Sequence, residues 1–541
     1  MNDISKNIGA DMVVNVLEKL DVQTIFGIPG NHNLDIYDSL LTSEIEHITA
    51  RHEQGAGFMA DGFARVNNKP GVALVISGPG LTNIITPMGQ AMADSIPMVV
   101  ISSQLPTSVL GQRTGYLHEL KNSTHLTKSV AKDSIRVMDA KKIDSSIIEA
   151  YQLARSGRPG PVHVEIPLDI LQSTLTKKCS STADKLLDTD PWQEIDQTKN
   201  IEKTVNCLSQ KEDAVIMVGG GADKAYSELI ELAEKLQIPV IETIAAKGII
   251  SEAHPLCLGA SIKYNKVQEK VKNAECVLAV GTEMAATDLA GVELSISGTL
   301  IQIDIDPANF QRNFPADIAI KGDAKSLLAE INSKIDIQRP KRDFSDLLEN
   351  REKKLAEIRD VDKNDLDFKL EVIKGIRKAI PARGILVSDM TRPAYIARSE
   401  YPSYFPNTFL HPVGYGTLGY ALPAALGVKF ANPQKDVVVL TGDGGFQFTI
   451  QEMGVLLDHN MSLPIVIWNN DGFGEIRKNE KSRHPDKTIA VNNTNPDFEK
   501  MAESYGFTYN KIKDSSKIES VLNKALKKSK PEIIEIVKEE N

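Results

Sequence analysis

The sequence predicts an α/β protein made of three doubly wound domains, each with a parallel sheet at its centre. Two observations support this fold class. Short apolar runs, most of them ending near Gly or Pro, alternate with helical patterns along the chain, which is typical of parallel strands buried on both faces. The 541 residues are also too many for one hydrophobic core, and a chain of this length usually forms about two to four domains.

The apolar runs place the strands of each predicted domain. In the first third of the chain we expect strands at residues 24–27, 72–76, 98–101 and 162–166. A second series follows at residues 214–218, 277–280 and 300–305. A third series comprises residues 385–387, 437–440, 465–468 and 533–537. Strands that alternate with helices in this way favour doubly wound sheets.

Polar stretches separate the three series. Residues 180–192 lose their hydrophobic periodicity, as linkers do. Residues 339–367 are rich in Lys, Glu and Asp, which indicates a connection that contains a solvated helix. We therefore expect domains over residues 1–178, 190–338 and 365–541.

Composition excludes several classes of protein. The chain has 62 Lys and Arg against 72 Asp and Glu, a formal charge of -10, and no basic run with interleaved aromatic residues, so nucleic-acid binding is not expected. No apolar stretch approaches the roughly 18 residues of a membrane span, and residues 1–6 are too polar for a secretory signal. The four cysteines are too far apart for a metal knuckle or a disulfide framework. We expect a cytoplasmic protein without a membrane partner.

The strongest chemical signal lies where two neighbouring strands of the third domain end. Asp443 stands between glycines in Gly442–Phe446, and Asn470 follows the next strand 27 residues later (470 minus 443). Either segment alone is also ordinary turn chemistry. Together they lie at one edge of a parallel sheet, where ligands bind and where glycines let backbone amides approach a phosphate. Asp443 and Asn470 would then offer two oxygens to one Mg²⁺.

These two segments resemble the cofactor motif of the thiamine diphosphate enzymes, in which Gly-Asp-Gly is followed one strand later by Asn-Asn. The resemblance implies that Asp443, Asn470 and the Gly472 carbonyl hold Mg²⁺. It also implies that flanking residues bind thiamine diphosphate: Gly442, Gly444, Gly445, Phe446, Phe473, Gly474 and Glu475.

A second, independent segment carries the same resemblance. Residues 52–65 are similar to the pyrimidine-binding segment of the acetolactate synthase branch of that family, which makes Glu53 the catalytic glutamate. A carboxylate that is hydrogen-bonded to a ring nitrogen of the aminopyrimidine favours its imino form, which removes a proton from the thiazolium ring. The alternative is a glutamate at the start of a helix with no catalytic part.

Further cofactor contacts follow from the resemblance. Residues 77–83 and 414–419 are similar to segments of the same branch. Leu418 would be an apolar wedge beneath the cofactor, although a plain core leucine has the same signature, and Arg392 is either a diphosphate contact or a surface charge. The remaining predicted cofactor-binding residues are Pro29, Gly30, Asn83, Thr391, Gly416 and Thr417.

The resemblance covers nearly the whole chain, in the order pyrimidine-binding, central and diphosphate-binding domain. It implies a homo-oligomer, at least a dimer and commonly a tetramer, in which Glu53 of one subunit serves the cofactor held by Asp443 and Asn470 of another. FAD, which some acetolactate synthases bind in the central domain, is doubtful here because Glu283 stands where an arginine is expected.

Three further segments, residues 27–32, 115–120 and 472–477, resemble the 5-guanidino-2-oxopentanoate decarboxylases. Glu119 and Glu475 would offer carboxylates to the substrate's guanidinium, a charge-assisted pairing that few other groups match. The alternative is that both are solvated or ion-paired surface acids.

Two histidines are candidates for proton transfer, because histidine titrates near neutral pH. His32 and His118 are either these groups or packed core histidines, and Ile476 is a further candidate substrate contact. The expected reaction is the non-oxidative decarboxylation of a small 2-oxo acid to an aldehyde, in which the thiazolium accepts the electrons. The alternative is an acetolactate synthase, which joins two 2-oxo acids. A non-catalytic, degenerate subunit is the third alternative, and the intact cofactor motifs disfavour it.

Overall fold

The computed structural model describes residues 7–175, 197–359 and 362–537. The predicted linker at residues 180–192, the predicted domain limits at residues 178 and 190, and residues 1–6 all lie outside these ranges. Cys179 also lies outside them. The other three cysteines are free thiols, and Cys207 is only partly buried.

Three sheets form the framework of the chain, and within the described residues each has six strands that pair in parallel. The first contains β1 (Thr24–Gly27), β2 (Glu46–Thr49), β3 (Gly71–Val75), β4 (Met98–Gln104), β5 (Asp133–Arg136) and β6 (Pro161–Pro167). The second contains β7 (Ala214–Val218), β8 (Val240–Glu242), β9 (Cys257–Gly259), β10 (Cys276–Val280), β11 (Thr299–Asp304) and β12 (Ile318–Lys321). The third contains β13 (Ile385–Ser388), β14 (Phe409–Leu410), β15 (Val437–Gly442), β16 (Pro464–Asn469), β17 (Thr508–Ile512) and β18 (Glu532–Val537).

Helices cover the sheets. With the first sheet lie α1 (Gly9–Lys19), α2 (Leu34–Leu40), α3 (Glu53–Asn67), α4 (Pro79–Asn83), α5 (Ile85–Ala93), α6 (Ser123–Lys128), α7 (Ile143–Arg155) and α8 (Leu168–Leu171). With the second lie α9 (Thr198–Gln210), α10 (Tyr226–Leu236), α11 (Asn265–Asn273) and α12 (Ala324–Lys334). The rest are α13 (Arg351–Arg359), α14 (Lys363–Ala379), α15 (Arg392–Glu400), α16 (Ala421–Ala431), α17 (Asp443–Phe446), α18 (Met453–Asp458), α19 (Gly474–Arg483), α20 (Phe498–Ser504) and α21 (Ile518–Ala525). The predicted fold class, three α/β units with parallel sheets, is confirmed.

In the first sheet, the inner strands are buried more completely than the two edge strands. The strand orders of the three sheets are β2-β1-β3-β4-β6-β5, β12-β11-β10-β7-β8-β9 and β14-β13-β15-β16-β18-β17. Strands β4 and β6 are buried at every position, because helices lie on both faces of the sheet. The edge strands β2 and β5 each bury one residue in four.

Helices α3 and α16 join the first and third sheets. A Cβ atom on Gly62 of α3 would overlap the Ala424 carbonyl, and one on Gly427 of α16 would overlap the Met59 carbonyl, so both glycines allow the two helices to approach closely. The Tyr420 hydroxyl also donates a hydrogen bond to Asp61 Oδ1 at 2.8 Å. One core cluster therefore runs through both of these sheets.

The fold brings the predicted site residues to two sheet edges. β15 and β16 are neighbours with Gly442 opposite Trp468, so Asp443 and Asn470 follow adjacent strand ends. In the first sheet β1, β3 and β4 are neighbours, and the loops after them contain His32, Ser77 and His118. Within the described ranges, no helix is long and apolar enough to cross a membrane.

Candidate active site

A group of oxygens converges at the ends of β15 and β16. Asp443 is buried, with 1% of its surface exposed. Its Oδ2 atom accepts hydrogen bonds from the Gly472 N–H at 2.8 Å and from Asn495 Nδ2 at 2.7 Å, which leaves Oδ1 to face Asn470. Burial raises the pKa of Asp443, and the hydrogen bonds that its carboxylate accepts act in the opposite direction.

The side-chain amide of Asn470 completes this group. One of its two terminal atoms lies 2.9 Å from the Gly472 carbonyl oxygen and 3.1 Å from Asp443 Oδ1. A rotation of 180° exchanges the amide oxygen and nitrogen at that place. With the nitrogen there, it donates to both oxygens; with the oxygen there, three oxygens face one point, an arrangement that a divalent cation satisfies. Within the described ranges, no group of three or more His, Cys, Asp and Glu side chains suits a metal, so this mixed set is the best-formed candidate.

Glycines and a helix start lie beside the three oxygens. A Cβ atom on Gly442 would lie 3.0 Å from Thr391 Oγ1, and one on Gly474 would overlap the Asn470 amide. Thr391 is the N-cap of α15, so the positive end of that helix lies next to Gly442. Backbone N–H groups and a helix N-terminus suit an anion such as a diphosphate.

Arg392 and Glu475, both predicted cofactor contacts, face each other. Arg392 Nε lies 3.7 Å from Glu475 Oε2, and Arg392 Nη2 donates to Asp365 Oδ2 at 3.4 Å. The charge of Glu475 also acts on Arg359 and Arg398. The Glu475 carboxylate is therefore surrounded by guanidinium groups of the protein itself.

The loop around Leu418 has a backbone that requires glycine. Gly416 and Gly419, which flank Thr417 and Leu418, have φ angles of 70° and 77°, a region that residues with a side chain rarely adopt. Thr417 Oγ1 donates a hydrogen bond to Gln90 Oε1 at 3.0 Å. Leu418 itself is only partly buried, which leaves part of its side chain available to a ligand.

The second half of the site lies on the first sheet. Glu53 is the first residue of α3 and is 9% exposed. Asn83 Nδ2 donates a hydrogen bond to Glu53 Oε2 at 2.8 Å. A Cβ atom on Gly80 would lie 3.3 Å from Glu53 Oε1. One carboxylate oxygen is thus fixed by Asn83, while the other lies above the backbone of Gly80.

The two predicted proton-transfer histidines meet in space. The rings of His32 and His118 are 5.1 Å apart, and His32 Nδ1 lies 2.9 Å from Ser77 Oγ. Burial and the neighbouring His118 lower the pKa of His32. His118 has a φ of 67°, and its Nδ1 atom is buried with no hydrogen-bond partner among the described residues. Backbone strain and unsatisfied polar atoms of this kind gather at functional sites.

Glu119 lies on the same loop as His118. Its Oε2 atom accepts a hydrogen bond from the Gly115 N–H at 2.8 Å, and Glu119 forms no ion pair with any described residue.

The other predicted contact residues lie in loops or on the surface. Gly30, in the loop after β1, donates its N–H to Asn33 Oδ1 at 2.7 Å. Pro29 is exposed, and Ile476, beside Glu475, has 53% of its surface exposed.

The two groups of site residues lie on different sheets of the chain. Among residues 7–175, 197–359 and 362–537, no hydrogen bond links the group around Glu53, Asn83 and the histidines to the group around Asp443 and Asn470. Large apolar side chains near both halves are exposed: Tyr116, Leu117, Tyr415, Phe448 and Ile476.

Family models match each of the three parts of the chain. Residues 8–157 match the N-terminal thiamine pyrophosphate-binding domain of the thiamine pyrophosphate enzymes. Residues 201–331 match their central domain, and residues 391–536 match their C-terminal thiamine pyrophosphate-binding domain. The chain belongs to the thiamine pyrophosphate enzyme family. Thiamine pyrophosphate and thiamine diphosphate are two names for the same cofactor.

Several relatives of this thiamine pyrophosphate enzyme share its full length. The "Probable 2-ketoarginine decarboxylase AruI" of Pseudomonas aeruginosa is 36% identical over 525 residues, which cover 97% of this chain and 93% of that protein. The probable acetolactate synthase large subunit of Methanococcus aeolicus is 30% identical, with 97% and 91% coverage. The acetolactate synthase isozyme 3 large subunit of Escherichia coli is 33% identical, with 96% and 92% coverage.

Asn495 and Asp389 support the group of residues around Asp443 in this thiamine pyrophosphate enzyme, and neither was predicted from the sequence. Asn495 donates to Asp443 from 52 residues away. Asp389 is buried, and its Oδ2 accepts a hydrogen bond from the Gly419 N–H at 3.0 Å. Burial raises the pKa of Asp389 to about 6. Its position directly after β13, at the carboxyl edge of the sheet, was a signal that could have identified it.

A large cleft lies between the central domain and residues of both the first and the third domain. Its volume is about 960 Å³, and it lies at the carboxyl ends of β7, β10 and β11. Glu283, the residue that made FAD doubtful, lines this cleft and pairs with Arg158 of the first domain and with Arg312 Nη1 at 3.5 Å. Its carboxylate is therefore engaged by two arginines of the protein.

Proposed function

We propose that this thiamine pyrophosphate enzyme decarboxylates 5-guanidino-2-oxopentanoate, a cationic 2-oxo acid, to an aldehyde and CO2. The observation that carries the proposal is the similarity to the Pseudomonas aeruginosa relative, which extends over nearly the full length of both chains. The 2-ketoarginine in that relative's name is the same compound.

In this proposal, the C-terminal half of the site holds the cofactor's diphosphate and its metal. Asp443, Asn470 and the Gly472 carbonyl would bind Mg²⁺, with the Asn470 amide turned so that its oxygen, and not its nitrogen, faces the other two oxygens. The backbone of residues 442–446 and the start of α15 receive the diphosphate. When bound, thiamine diphosphate supplies the electron sink that lets CO2 leave.

The N-terminal half of the site prepares the cofactor. Glu53 would hydrogen-bond a ring nitrogen of the aminopyrimidine and hold or release a proton at its carboxylate. Asn83 orients Glu53 through its hydrogen bond to Oε2. Leu418 supports the cofactor from the other half, at the turn formed by Gly416 and Gly419. If Glu53 only started the helix and took no part in catalysis, its carboxylate would not need this fixed orientation.

Glu119 is the better of the two candidate ligands for the substrate's guanidinium. Glu475 already faces Arg392, whereas Glu119 forms no ion pair with a described residue and lies on the loop of His118. A carboxylate that is not ion-paired within the protein can form a bidentate pair with the guanidinium of a substrate. In this proposal, His32 or His118 delivers the proton to the product.

The separation of the two halves supports an oligomer. A second copy of the chain would bring its Glu53 group to the Asp443 group of the first copy and would cover the exposed apolar side chains near both. We therefore propose a homodimer as the smallest active unit, with a tetramer as the expected assembly.

The second candidate function is that of an acetolactate synthase. The relatives from Methanococcus aeolicus and Escherichia coli carry that name and are 30% and 33% identical over nearly the whole chain. Both candidate enzymes use the same cofactor site, so the fate of the substrate distinguishes them.

The test is turnover by the purified protein with thiamine diphosphate and Mg²⁺, on 5-guanidino-2-oxopentanoate and separately on pyruvate. CO2 release is quantified and the products are identified by NMR. The proposal predicts 4-guanidinobutanal from the guanidino acid. Acetolactate from pyruvate with no turnover of the guanidino acid would overturn it in favour of the synthase, and no turnover of either acid would contradict both.

The role of Glu119 is tested in the same assay. Glu119→Gln removes the negative charge and keeps the size, so KM for the guanidino acid should rise about 10-fold or more, as expected for a lost charged hydrogen bond. The matched control is 2-oxooctanoate, whose side chain has about the same length but carries no charge, and its KM should not change. An equal effect on both substrates would show that Glu119 has no part in recognising the guanidinium.

A further inference from the structure

Glu452 is a buried carboxylate that the proposed mechanism does not use. It belongs to the C-terminal domain, directly before α18, and none of its surface is exposed. Its side chain nevertheless touches the first domain, at the place where α3 begins with Glu53.

The Glu452 carboxylate holds the backbone that leads into α3. The Arg51 N–H lies 3.2 Å from Oε1 and 3.0 Å from Oε2, and the His52 N–H donates to Oε1 at 3.0 Å. The amide groups at a helix start lack partners within the helix, and Glu452 supplies partners from another domain. Glu53 follows His52 directly, so its backbone position depends on these hydrogen bonds.

Gly55 shows how closely the carboxylate approaches the helix. A Cβ atom on Gly55 would overlap the Glu452 carboxylate at Oε1. Its φ is not in the left-handed region, so the glycine is required here by space and not by backbone conformation. Glu452 thus holds the two residues before α3, Arg51 and His52, and lies against Gly55 in the first turn of that helix.

Burial brings the pKa of Glu452 close to neutral pH. Burial raises its pKa to about 7, the two backbone donors and the charge of Arg51 lower it, and the charge of Glu53 raises it. The groups that face it are therefore the backbone of Arg51 and His52, the Arg51 guanidinium and the Glu53 carboxylate. Below about pH 7 Glu452 is mainly protonated; above it, the ionised carboxylate accepts the two N–H groups more strongly.

We propose that Glu452 is a positioning residue for Glu53, and that it couples the start of α3 to the C-terminal domain of the same chain. This inference rests on the proposed function, because it assumes that Glu53 acts on the cofactor. An ionised Glu452 anchors residues 51 and 52 and so fixes the direction of the Glu53 side chain. A neutral side chain at position 452 holds them less firmly, and a small displacement of a catalytic group lowers its rate steeply.

The test is Glu452→Gln in the complete, cofactor-loaded protein. The exchange of the C2 proton of bound thiamine diphosphate is followed by NMR after acid quench between pH 6 and 8, and cofactor affinity is measured by calorimetry. Wild-type exchange should accelerate as pH rises through 7. The variant should exchange ~10-fold or more slowly at pH 8, without that inflection, while its affinity for the cofactor stays near the wild-type value.

Asp458→Asn is the matched control. Asp458 pairs with Arg51 Nη2 at 2.7 Å, across the same contact between the domains, but it does not touch the backbone of residues 51 and 52. We expect its exchange rate and pH profile to match those of the wild type. If Glu452→Gln also matches the wild type, or if it loses thermal stability alone, the positioning role is wrong.

Gly55→Ala provides a second route if Glu452→Gln does not fold. The added methyl group displaces the Glu452 carboxylate without removing its charge, so slower exchange and a changed pH profile are expected again. Unchanged exchange in a folded Gly55→Ala protein would overturn the proposal. Failure of the proposed function looks different, because the wild-type protein itself would then not exchange the C2 proton.

Discussion

Asn495 and the Gly472 N–H hold one oxygen of the Asp443 carboxylate, Oδ2. Only the other oxygen, Oδ1, is therefore available to a metal. Groups that orient a metal ligand in this way commonly affect metal affinity nearly as much as the ligands themselves. Asn495 also donates to Asn469 Oδ1 at 2.9 Å and accepts from Gln447 Nε2 at 3.0 Å, so its own position is well fixed.

We predict that Asn495→Ala weakens Mg²⁺ binding by about 10- to 100-fold, because Asp443 loses a charge-assisted hydrogen bond. The measurement is a Mg²⁺ titration by calorimetry in saturating thiamine diphosphate. Asn493→Ala is the control, since Asn493 lies in the same loop and contributes its backbone N–H to Asp471. Equal Mg²⁺ affinity of Asn495→Ala and the wild type would refute this role.

Local sequence was sufficient for some site residues and not for others. Asp443 and Asn470 were predictable because polar residues and glycines follow two neighbouring strands, and Glu53 was predicted from the family resemblance of residues 52–65. Asp389 had a comparable local signal, its place directly after a strand, that was not used. Asn495 and Glu452 had none, because their partners lie 52 and 401 residues away in sequence. The roles assigned to all of these residues stay predictions.

Close contact between α3 and α16 depends on two glycines. Side chains on Gly62 and Gly427 would overlap backbone carbonyls of the opposite helix, and backbone cannot move aside as easily as a flexible side chain. This pair of helices connects the domain that carries Glu53 with the domain that carries Asp443.

We predict that Gly427→Ala destabilises the protein by about 1–3 kcal/mol, the usual effect of adding a methyl group to a filled core. The free energy of unfolding is measured by urea denaturation. Gly220→Ala is the comparison, because a Cβ atom there would meet its nearest neighbour, Ala245 Cβ, at 3.3 Å. An equal, small effect of both substitutions would contradict the importance of this helix contact.

Inner strands of the sheets could be predicted from the sequence, whereas edge strands could not. The apolar runs predicted central strands such as β3, β7 and β15, which are buried on both faces. The six edge strands, β2, β5, β9, β12, β14 and β17, were not predicted, because they are short or partly exposed and lack a continuous apolar run. β8 was also missed, since it has only three residues.

One chain contains both halves of the candidate site but does not join them. The Glu53 group and the Asp443 group lie on different sheets. The contacts between the two domains include the pair of helices α3 and α16, the hydrogen bonds of Glu452 and the hydrogen bond between Thr417 and Gln90. The order of the domains and the sharing of the site between subunits were both expected from the family resemblance, whereas the contacts that hold each half in place required the structure. A second copy of the chain is the simplest source of the missing half.

Subunit complementation tests this arrangement most directly. Chains with Glu53→Gln and chains with Asp443→Asn are coexpressed with different affinity tags, and the mixed dimer is isolated. If each site combines Glu53 of one subunit with Asp443 of the other, the mixed dimer has one intact site, while both homodimers have none. We predict about half of wild-type activity per mixed dimer.

The matched control places both substitutions on one chain and pairs it with a wild-type chain. Shared sites predict that this dimer is inactive, because each of its sites carries one defect. The decisive measurement is therefore the turnover of the two mixed dimers side by side. Activity in the first and none in the second is the result we predict. Activity only in the dimer that carries both substitutions on one chain would contradict shared sites, because it would place Glu53 and Asp443 of one chain in the same site.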